Sequence, residues 1–309
     1  MKRLLWLLVM GAAVLLARAE EAKEKPTRPI PAIERVLIIS IDGLRPDRLL
    51  LANTPVIHGM IKNGAFTMWA QTTAVSITLP SHTSMLTGVV PRKHGIEWNE
   101  DLPLLHPIYP KVPTVFELAH KWNYTTALIS GKSKFHTLAK PGTITYMWIP
   151  EGRDIEDDAP VADEAVKIIK EHKPELTFVH FPANDKRGHK YGWGSAEQMV
   201  AIEQADACVG RVLAALDEAG VREHTLIILS ADHGGAGLTH GPEDPRSRNI
   251  PWIANGPTIK KGFDLTQSIE LMVRTEDTCA TACYVLGLGQ FPYFDGKPVL
   301  YAFDNPPKP

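Results

Sequence analysis

The sequence predicts an α/β protein with a doubly wound, mostly parallel sheet that is sandwiched between helices in a single domain. Short apolar runs alternate along the chain with longer segments of helical periodicity, which is the pattern of successive βαβ units. The chain shows no internal repeat and no long Gly/Ser linker. A chain of 309 residues suits one large α/β domain or two small ones, and the lack of a repeat or linker favours one domain.

Residues 1–19 have the features of a secretory signal peptide. A basic start at Lys2 and Arg3 precedes an apolar stretch over residues 4–16, and Ala17-Arg18-Ala19 forms a small-x-small cleavage site. The apolar stretch is short for a membrane span, so no stable membrane anchor is expected, although an uncleaved anchor remains an alternative. We therefore expect a secreted or periplasmic protein, cleaved after Ala19.

The charge and the cysteine content exclude several classes of protein. Cleavage after Ala19 changes the formal net charge from −2 to −5, and a mildly acidic chain without a basic stripe is not expected to bind nucleic acid. The chain has 3 cysteines, and Cys279 and Cys283 lie four residues apart in an apolar, helical-looking stretch. They are expected to be buried thiols, which disfavours a disulfide scaffold or a cysteine metal site.

The elements follow in order from the apolar pattern. Residues 20–33 are charged and Pro-rich, which predicts a flexible lead-in. The folded domain is expected over residues 34–302 and a C-terminal tail over 303–309. The clearest helix covers residues 196–219, where apolar side chains share one stripe. Five apolar runs are typical of buried parallel strands: 36–41, 125–129, 176–180, 226–230 and 251–254.

Carboxylates and imidazoles follow three of these predicted strands. A single Asp after a strand is more simply a helix cap or a turn former. Because open α/β sheets bind ligands at the carboxyl ends of their strands, three such groups are expected to meet at one edge. Carboxylate and imidazole are ligands that divalent transition metals prefer. The candidate metal ligands are Asp42, Asp185, His189, Asp232 and His233, with His240 following in the stretch "SADHGGAGLTHG".

A candidate nucleophile lies in the stretch "SITLPSHTSML". Pro80 suits the first turn of a helix, which places Thr78 close to a helix N-terminus. Backbone N–H groups and the helix dipole favour negative charge there. The Thr78 hydroxyl is therefore either a helix cap or an alkoxide nucleophile that attacks an anionic phosphoryl group.

These motifs, in this order, resemble those of the alkaline phosphatase superfamily, and within it the type I phosphodiesterase/nucleotide pyrophosphatase branch, over nearly all of residues 34–302. The matching segments are "IISIDGLRPD", "TLPSHTSMLTGVVPRKHGI", "DKRGH", "ADHGG" and "THGPED". The resemblance implies two divalent metal ions, expected to be Zn²⁺. It also implies that Asn99, twenty-one residues after Thr78, contacts phosphate. The implied ligands are Asp42, Asp232, His233 and Thr78 for one ion, and Asp185, His189 and His240 for the other.

The resemblance implies a secreted two-metal phosphodiesterase or nucleotide pyrophosphatase, which cleaves a small-molecule phosphate ester through a phosphothreonyl intermediate on Thr78. Asn99 and backbone N–H groups near Leu79 would bind the non-bridging oxygens. One alternative is a phosphomonoesterase or phosphonate hydrolase on the same site, for which Arg45 and Lys132 are candidate phosphate contacts. Another is a binding protein that has lost catalysis, which predicts a broken ligand set.

Two departures from the family pattern concern nucleotide recognition. Nucleotide-processing members usually carry an aromatic residue after the nucleophile, where this chain has Leu79, and a tyrosine ahead of the second ligand pair, where it has His180 and Phe181. A base-stacking slot is therefore left open, as is the oligomeric state. A sulfatase is disfavoured because no activating motif surrounds Thr78. The stretch "ALISGKS" is not a P-loop, because Thr126 stands where that motif needs Gly.

Overall fold

An eight-stranded sheet runs through the computed structural model, which describes residues 24–100, 108–242, 244–268 and 271–308. The spatial order of the strands is β4-β3-β5-β1-β6-β7-β2-β8, and only β7 runs antiparallel to its neighbours. The bounds are β1 Arg35–Ile41, β2 Ala65–Gln71, β3 Thr126–Ser130, β4 Tyr146–Trp148, β5 Leu176–Phe181, β6 Thr225–Ser230, β7 Asn249–Asn255 and β8 Phe263–Asp264.

The described residues form ten α-helices, and most of them pack in two groups beside this sheet. One group joins α2, α6, α7 and α8, and the other joins α3, α5 and α10. The predicted α/β fold with a mostly parallel sheet between helices is confirmed. The bounds are α1 Pro46–Leu51, α2 Pro55–Lys62, α3 Thr78–Thr87, α4 Pro91–His94, α5 Val115–His120, α6 Ala159–His172, α7 Ala183–Tyr191, α8 Ala196–Glu218, α9 Pro245–Arg248 and α10 Asp277–Val285.

The central strands carry the core and set the position of the site. Strands β5 and β6 are buried along their whole length, as the continuous apolar runs predict for parallel strands covered on both faces. Ser40 near the end of β1 lies in register with His180 of β5 and with Ser230 of β6. The three strands therefore end together, and the residues that follow them emerge at one edge of the sheet.

All five predicted strands are present, but the direction predicted for the last one is wrong. Residues 251–254 belong to β7, which pairs antiparallel with β6. Parallel strands need a crossover connection that returns the chain to the opposite edge. In the described part of residues 231–248, the chain instead stays near the carboxyl edge and forms only the four-residue helix α9. Three further strands, β2, β4 and β8, were not predicted. Strand β2 has only part of its residues buried, and β4 and β8 are two or three residues long.

The two ends of the domain pack more closely than their composition suggests. Ile30 and Ile33 of the predicted flexible lead-in are buried, so this part of the lead-in is packed on the core. In the predicted tail, Phe303 is buried as well. Both segments carry isolated apolar side chains among polar and Pro-rich neighbours, and burial of those side chains anchors them. The predicted signal peptide lies outside the described residues.

The predicted long helix is confirmed as α8, Ala196–Glu218. The three cysteines are buried thiols without disulfides. Among the helices that the structure describes, none combines the length and the hydrophobicity that a membrane crossing requires.

Candidate active site

The carboxyl edge of the sheet brings together the side chains that follow β1, β5 and β6. Asp42 comes directly after β1, and Asp232 and His233 follow β6 by two and three residues. Asp185 and His189 lie on α7, which starts two residues after β5, and their spacing of four places them on one helix face. Because the strands lie in the order β5-β1-β6, the side chains that follow them are neighbours in space.

Thr78 is the first residue of α3 and is buried against this cluster. Its Oγ1 lies 3.4 Å from Nε2 of His233. The start of α3 is held against the end of β6, because the Ser81 hydroxyl donates to the backbone oxygen of Asp232 at 2.7 Å. The hydroxyl of Thr72 donates to the same oxygen. Thr78 thus presents its hydroxyl at a helix N-terminus, where negative charge is favoured.

Backbone oxygens orient the three imidazoles of the cluster. Nδ1 of His189 lies 2.9 Å from the backbone oxygen of Leu238, and Nδ1 of His240 lies 2.9 Å from that of Ser76. Nδ1 of His233 lies 2.8 Å from the backbone oxygen of Gly234. A carbonyl oxygen only accepts, so each Nδ1 carries the proton, and each Nε2 lone pair is directed into the cluster. This orientation is the one that metal-binding histidines show.

The ligand atoms fall into two groups that share Asp185. Asp185, His189 and His240 form the first, and Asp42, Asp185 and His233 the second, with ligand atoms within 4.8 Å of one another in each. The resemblance placed Asp232 with Asp42 and His233. In the structure Oδ2 of Asp232 lies 3.3 Å from Nε2 of His233, at the border of the second group. The six side chains singled out in the sequence are thus brought together, with Asp185 between the two groups.

Each of the three carboxylates has one engaged and one free oxygen. Oδ1 of Asp232 accepts from the backbone N–H of Gly43 at 3.0 Å, and Oδ2 of Asp42 and of Asp185 contact Lys132. Oδ1 of Asp42, Oδ1 of Asp185 and Oδ2 of Asp232 are buried without a hydrogen bond. Buried acceptors without a partner are costly and uncommon. Three of them beside imidazole lone pairs fit a site for divalent cations with oxygen and nitrogen ligands, such as Zn²⁺.

A lysine supplies positive charge to the same carboxylates. Nζ of Lys132 lies 2.7 Å from Oδ2 of Asp42 and 2.6 Å from Oδ2 of Asp185. Burial by itself would lower the pKa of Lys132, but the two carboxylates outweigh it and raise the pKa. Burial likewise raises the pKa of Asp42, and Lys132 and His180 reverse the shift, so that this carboxyl stays well below its ordinary pKa. Both Lys132 and Asp42 are therefore charged.

The remaining members of the cluster titrate differently. Burial, followed by the nearby Asp42 charge, raises the pKa of Asp232 well above its ordinary value. Burial, followed by repulsion from His240, lowers the pKa of His233 to about 4, so this imidazole is neutral at pH 7. The Asp185 carboxylate, 3.3 Å from Nε2, raises the pKa of His189. A neutral imidazole beside carboxylates is the protonation state that a metal ligand requires.

Two further histidines contact the residues of the cluster from inside the protein core. His180 is fully buried, and its Nε2 lies 2.8 Å from Oδ2 of Asp42. His82 is also fully buried, with Nδ1 2.8 Å from the backbone oxygen of Thr78. His180 and Leu79, the two departures from the nucleotide-processing pattern, are therefore enclosed in the protein and expose no surface for stacking a base.

Asn99, for which the resemblance implies a phosphate contact, lies beside the first turn of α3. Its Oδ1 accepts from the backbone N–H of Leu79 at 2.9 Å and from Nζ of Lys134 at 3.2 Å. Nζ of Lys134 also donates to the backbone oxygen of Asn99 at 2.7 Å. The resemblance implies that backbone N–H groups near Leu79 bind the non-bridging oxygens, but the N–H of Leu79 itself donates to Asn99. Because Oδ1 is used, Nδ2 is the donor that Asn99 can offer to a ligand.

Sequence reasoning did not assign Lys134 or His180 to the site, and it left Lys132 as one of two candidates. The signal for Lys132 was present, because it follows the predicted strand at 125–129 and so reaches the same edge as the aspartates. His180 lies in the apolar run of β5, which gives no sign of a polar contact. Its contact with Asp42 forms only because β5 pairs with β1. Lys134 lies on the 3₁₀ turn Ser133–Leu138, which no periodicity predicted.

This sheet, with its acidic and histidine cluster beside a threonine that starts a helix, places the protein in the alkaline phosphatase-like class of α/β folds. A protein-family model described as type I phosphodiesterase/nucleotide pyrophosphatase matches residues 36–244. Because this match covers more than half of the chain, the chain belongs to the type I phosphodiesterase/nucleotide pyrophosphatase family.

Known proteins share both sequence and fold with the chain. It is 26% identical over 221 residues to human ectonucleotide pyrophosphatase/phosphodiesterase family member 1, covering 64% of this chain and 23% of that protein. It is 24% identical over 236 residues to an uncharacterized pyrophosphatase/phosphodiesterase of Schizosaccharomyces pombe, covering 71% of this chain and 47% of the relative. The chain therefore spans about a quarter to a half of the length of the curated relatives it matches.

Solved structures share the fold at low identity. Murine ectonucleotide pyrophosphatase/phosphodiesterase 5, as an inactive threonine-to-alanine variant in complex with AMP, has a TM-score of 0.71 and 15% identity, covering 87% of this chain and 98% of that one. A 2-O GAG sulfatase has a TM-score of 0.73 and 17% identity, covering 90% of this chain and 74% of that one. The common element is the mixed sheet between helices.

Proposed function

We propose that the protein is a metal-dependent hydrolase of phosphate esters of the phosphodiesterase/nucleotide pyrophosphatase type, with Thr78 as the nucleophile. The observation that carries this proposal is the buried Thr78 hydroxyl at the start of α3, 3.4 Å from His233 and beside three carboxylate oxygens without hydrogen bonds. Membership of the family supports the reaction class. All of the ligand residues, Thr78 and Asn99 are present, which argues against a binding protein that has lost catalysis.

Two divalent ions, with Zn²⁺ as the expected metal, fit the donor set. Asp185, His189 and His240 would hold one, and Asp42, His233 and the free oxygen of Asp232 the other, with Asp185 next to both. When bound, such ions lower the pKa of a coordinated hydroxyl or water and neutralise charge on the phosphoryl group. The carbonyl contacts of the three Nδ1 atoms keep the imidazoles in the ligating orientation.

The side chains of the protein have separate roles in the proposed reaction. Thr78 attacks phosphorus, forms a phosphothreonyl intermediate and displaces the leaving group, and water later releases the phosphoryl group. The N-terminus of α3 faces the charge that develops on the transferred group. Asn99, held through Oδ1, directs Nδ2 toward a non-bridging oxygen. Burial of Thr78 and Asp42 excludes bulk water and strengthens these interactions.

The substrate is a small-molecule phosphate ester. The relatives are described as nucleotide pyrophosphatases and phosphodiesterases, and the structural neighbour contains AMP. Because Leu79 and His180 are enclosed, any recognition of a base would have to use other side chains. We further propose that the protein is secreted or periplasmic, from the signal-peptide pattern of residues 1–19. N-terminal sequencing of protein recovered from the culture medium or periplasm tests this, with a new terminus at Glu20 as the expected result.

Parallel assays test the proposed reaction. Purified protein with Zn²⁺ is given bis-p-nitrophenyl phosphate and p-nitrophenyl phosphate, with and without a chelator, beside a Thr78→Ala variant. Hydrolysis of the diester that needs both metal and Thr78 supports the proposal. Metal-loaded, folded protein that cleaves neither ester contradicts it, and so does cleavage that survives the loss of Thr78.

A further inference from the structure

Lys132 places a full positive charge next to the candidate nucleophile. The residue is 4% exposed, and its Nζ lies 3.5 Å from Oγ1 of Thr78 as well as against Asp42 and Asp185. The ammonium therefore touches both halves of the ligand cluster and the hydroxyl that would attack phosphorus. A group attached to Thr78 would carry its non-bridging oxygens into the reach of this ammonium.

The backbone fixes the position of this lysine. The N–H of Lys132 donates to the Ser130 hydroxyl at 3.1 Å, and the carbonyl oxygen of Gly131 accepts from the N–H of Ile155 at 2.8 Å. A Cβ at Gly131 would lie 2.4 Å from Cγ of Pro182, so only glycine lets the end of β3 pass this close to the end of β5. The ammonium is thus positioned by the sheet and not by a loose loop.

Arg45, the other cation considered for a phosphate contact, donates its hydrogen bonds to other groups. Its guanidinium makes two hydrogen bonds to the carboxylate of Asp47, at 2.9 and 2.6 Å. A third goes to the backbone oxygen of Gly235 at 3.0 Å. These contacts direct the Arg45 donors to Asp47 and Gly235, and none of them goes to Thr78. Of the two candidates, only Lys132 reaches Thr78.

The net charge of the metal-loaded site favours a substrate with two negative charges. With Thr78 neutral, the three carboxylates and two divalent ions together carry one positive charge, and Lys132 raises this to two. A phosphate diester carries one negative charge, whereas a phosphate monoester above its second pKa, about 6, carries two. In a water-excluded site, the match between opposite charges matters more than it does in water.

We propose that Lys132 gives this site a further activity, the hydrolysis of dianionic phosphate monoesters, by contacting a non-bridging oxygen of the phosphoryl group that Thr78 accepts. This rests on the proposed function. The bond between Oγ1 and phosphorus forms while the bond to the leaving alkoxide breaks, and the hydroxyl proton of Thr78 ends on the released alcohol. Water then bonds to phosphorus, the bond to Oγ1 breaks, and one proton returns to Thr78, which releases inorganic phosphate.

A charge-removing and a charge-keeping variant test the proposal. Lys132→Met removes the ammonium at similar length, and Lys132→Arg retains a positive charge. Lys140→Met, which removes one half of the exposed pair with Glu117, is the control for net charge. Zinc content is measured for every variant, and assays are run at a metal concentration that fills the sites. For Lys132→Met, kcat/KM for p-nitrophenyl phosphate should fall about 10- to 100-fold more than kcat/KM for bis-p-nitrophenyl phosphate.

Binding of inorganic phosphate gives a second readout that does not need turnover. By titration calorimetry at about pH 8, where phosphate is a dianion, Lys132→Met should raise Kd about tenfold or more. Lys132→Arg should lie between it and the wild type, and Lys140→Met should bind as the wild type does. Equal losses for both esters together with an unchanged Kd for phosphate would overturn the proposal. If the wild type cleaves neither ester, the proposed function fails, while the phosphate titration still decides the role of Lys132.

Discussion

Oδ1 of Asn99 accepts a hydrogen bond from the backbone N–H of Leu79 at 2.9 Å, directly behind the candidate nucleophile. This contact ties the segment after α4 to the first turn of α3. It also determines which end of the Asn99 amide is free to meet a substrate. The Asn99 side chain therefore holds the start of α3 through Oδ1, and in the proposed mechanism it donates to a phosphoryl oxygen through Nδ2. These two roles can be separated experimentally.

The variant Asn99→Asp separates the acceptor role of Asn99 from its proposed donor role. An aspartate keeps an acceptor for Leu79 and for Lys134 but cannot donate to a phosphoryl oxygen. We expect kcat/KM to fall about 100- to 1000-fold, the usual cost of losing one such donor, while the thermal midpoint stays close to that of the wild type. Steady-state kinetics and a thermal melt check this. A variant with wild-type kinetics would show that Asn99 acts only as a brace.

Thr78→Ala should remove hydrolysis while leaving the metal site in place. In the proposed mechanism the hydroxyl is the attacking group, so kcat should fall about a thousandfold or more, whereas the six proposed carboxylate and imidazole ligands are unchanged. Thr78→Ser retains the hydroxyl and should keep a measurable part of the activity. Zinc content and kcat are measured on both variants. Loss of metal in Thr78→Ala without any change in kcat per bound metal would assign Thr78 to binding alone.

Asp185 should affect both of the proposed metal ions, because its Oδ1 lies 3.3 Å from Nε2 of His189 and 4.0 Å from Nε2 of His233. Asp185→Asn should therefore reduce bound metal at both positions, whereas His189→Gln should reduce it at one. Mass spectrometry of metal content after dialysis distinguishes the two outcomes. Circular dichroism confirms folding. If Asp185→Asn retains as much metal as His189→Gln, the carboxylate serves a single ion.

Asp158 should make stability depend on pH. Burial raises its pKa from 3.8 to about 7. Its Oδ1 accepts from the N–H of Ala183 at 2.9 Å, and its Oδ2 has no hydrogen bond. The unfolded chain loses this proton near pH 4 and the folded protein near pH 7, so the contribution of Asp158 to stability is present below about pH 4 and declines as the pH rises toward 7.

Asp158→Asn keeps the acceptor and removes the titration. Between pH 5 and pH 8 the wild type should lose about 3 kcal/mol of unfolding free energy relative to this variant. Urea denaturation of both proteins at the two pH values measures the difference. Parallel dependence of the two proteins on pH would mean that Asp158 is ionised in the folded state throughout this range.

Most of the architecture could be predicted because it depends on local periodicity. The buried strands read as continuous apolar runs, and α8 shows a single apolar stripe over its length. The direction of β7 could not be predicted, because it depends on which edge the preceding loop reaches. Short or half-buried strands such as β2 carry too few apolar positions for a periodic signal.

The sequence by itself determined which residue types stand at the ends of the strands, since strand ends and ligand-type residues are both local features. It thereby identified the side chains of the cluster and the threonine beside them. Only the tertiary structure decided that Asp185 lies between both ligand groups, that Asn99 engages Leu79, and that Lys132 rather than Arg45 reaches Thr78. Such contacts join residues that are far apart in the chain. Their distances follow from the order and register of strands β3, β5, β1 and β6, which no single segment specifies.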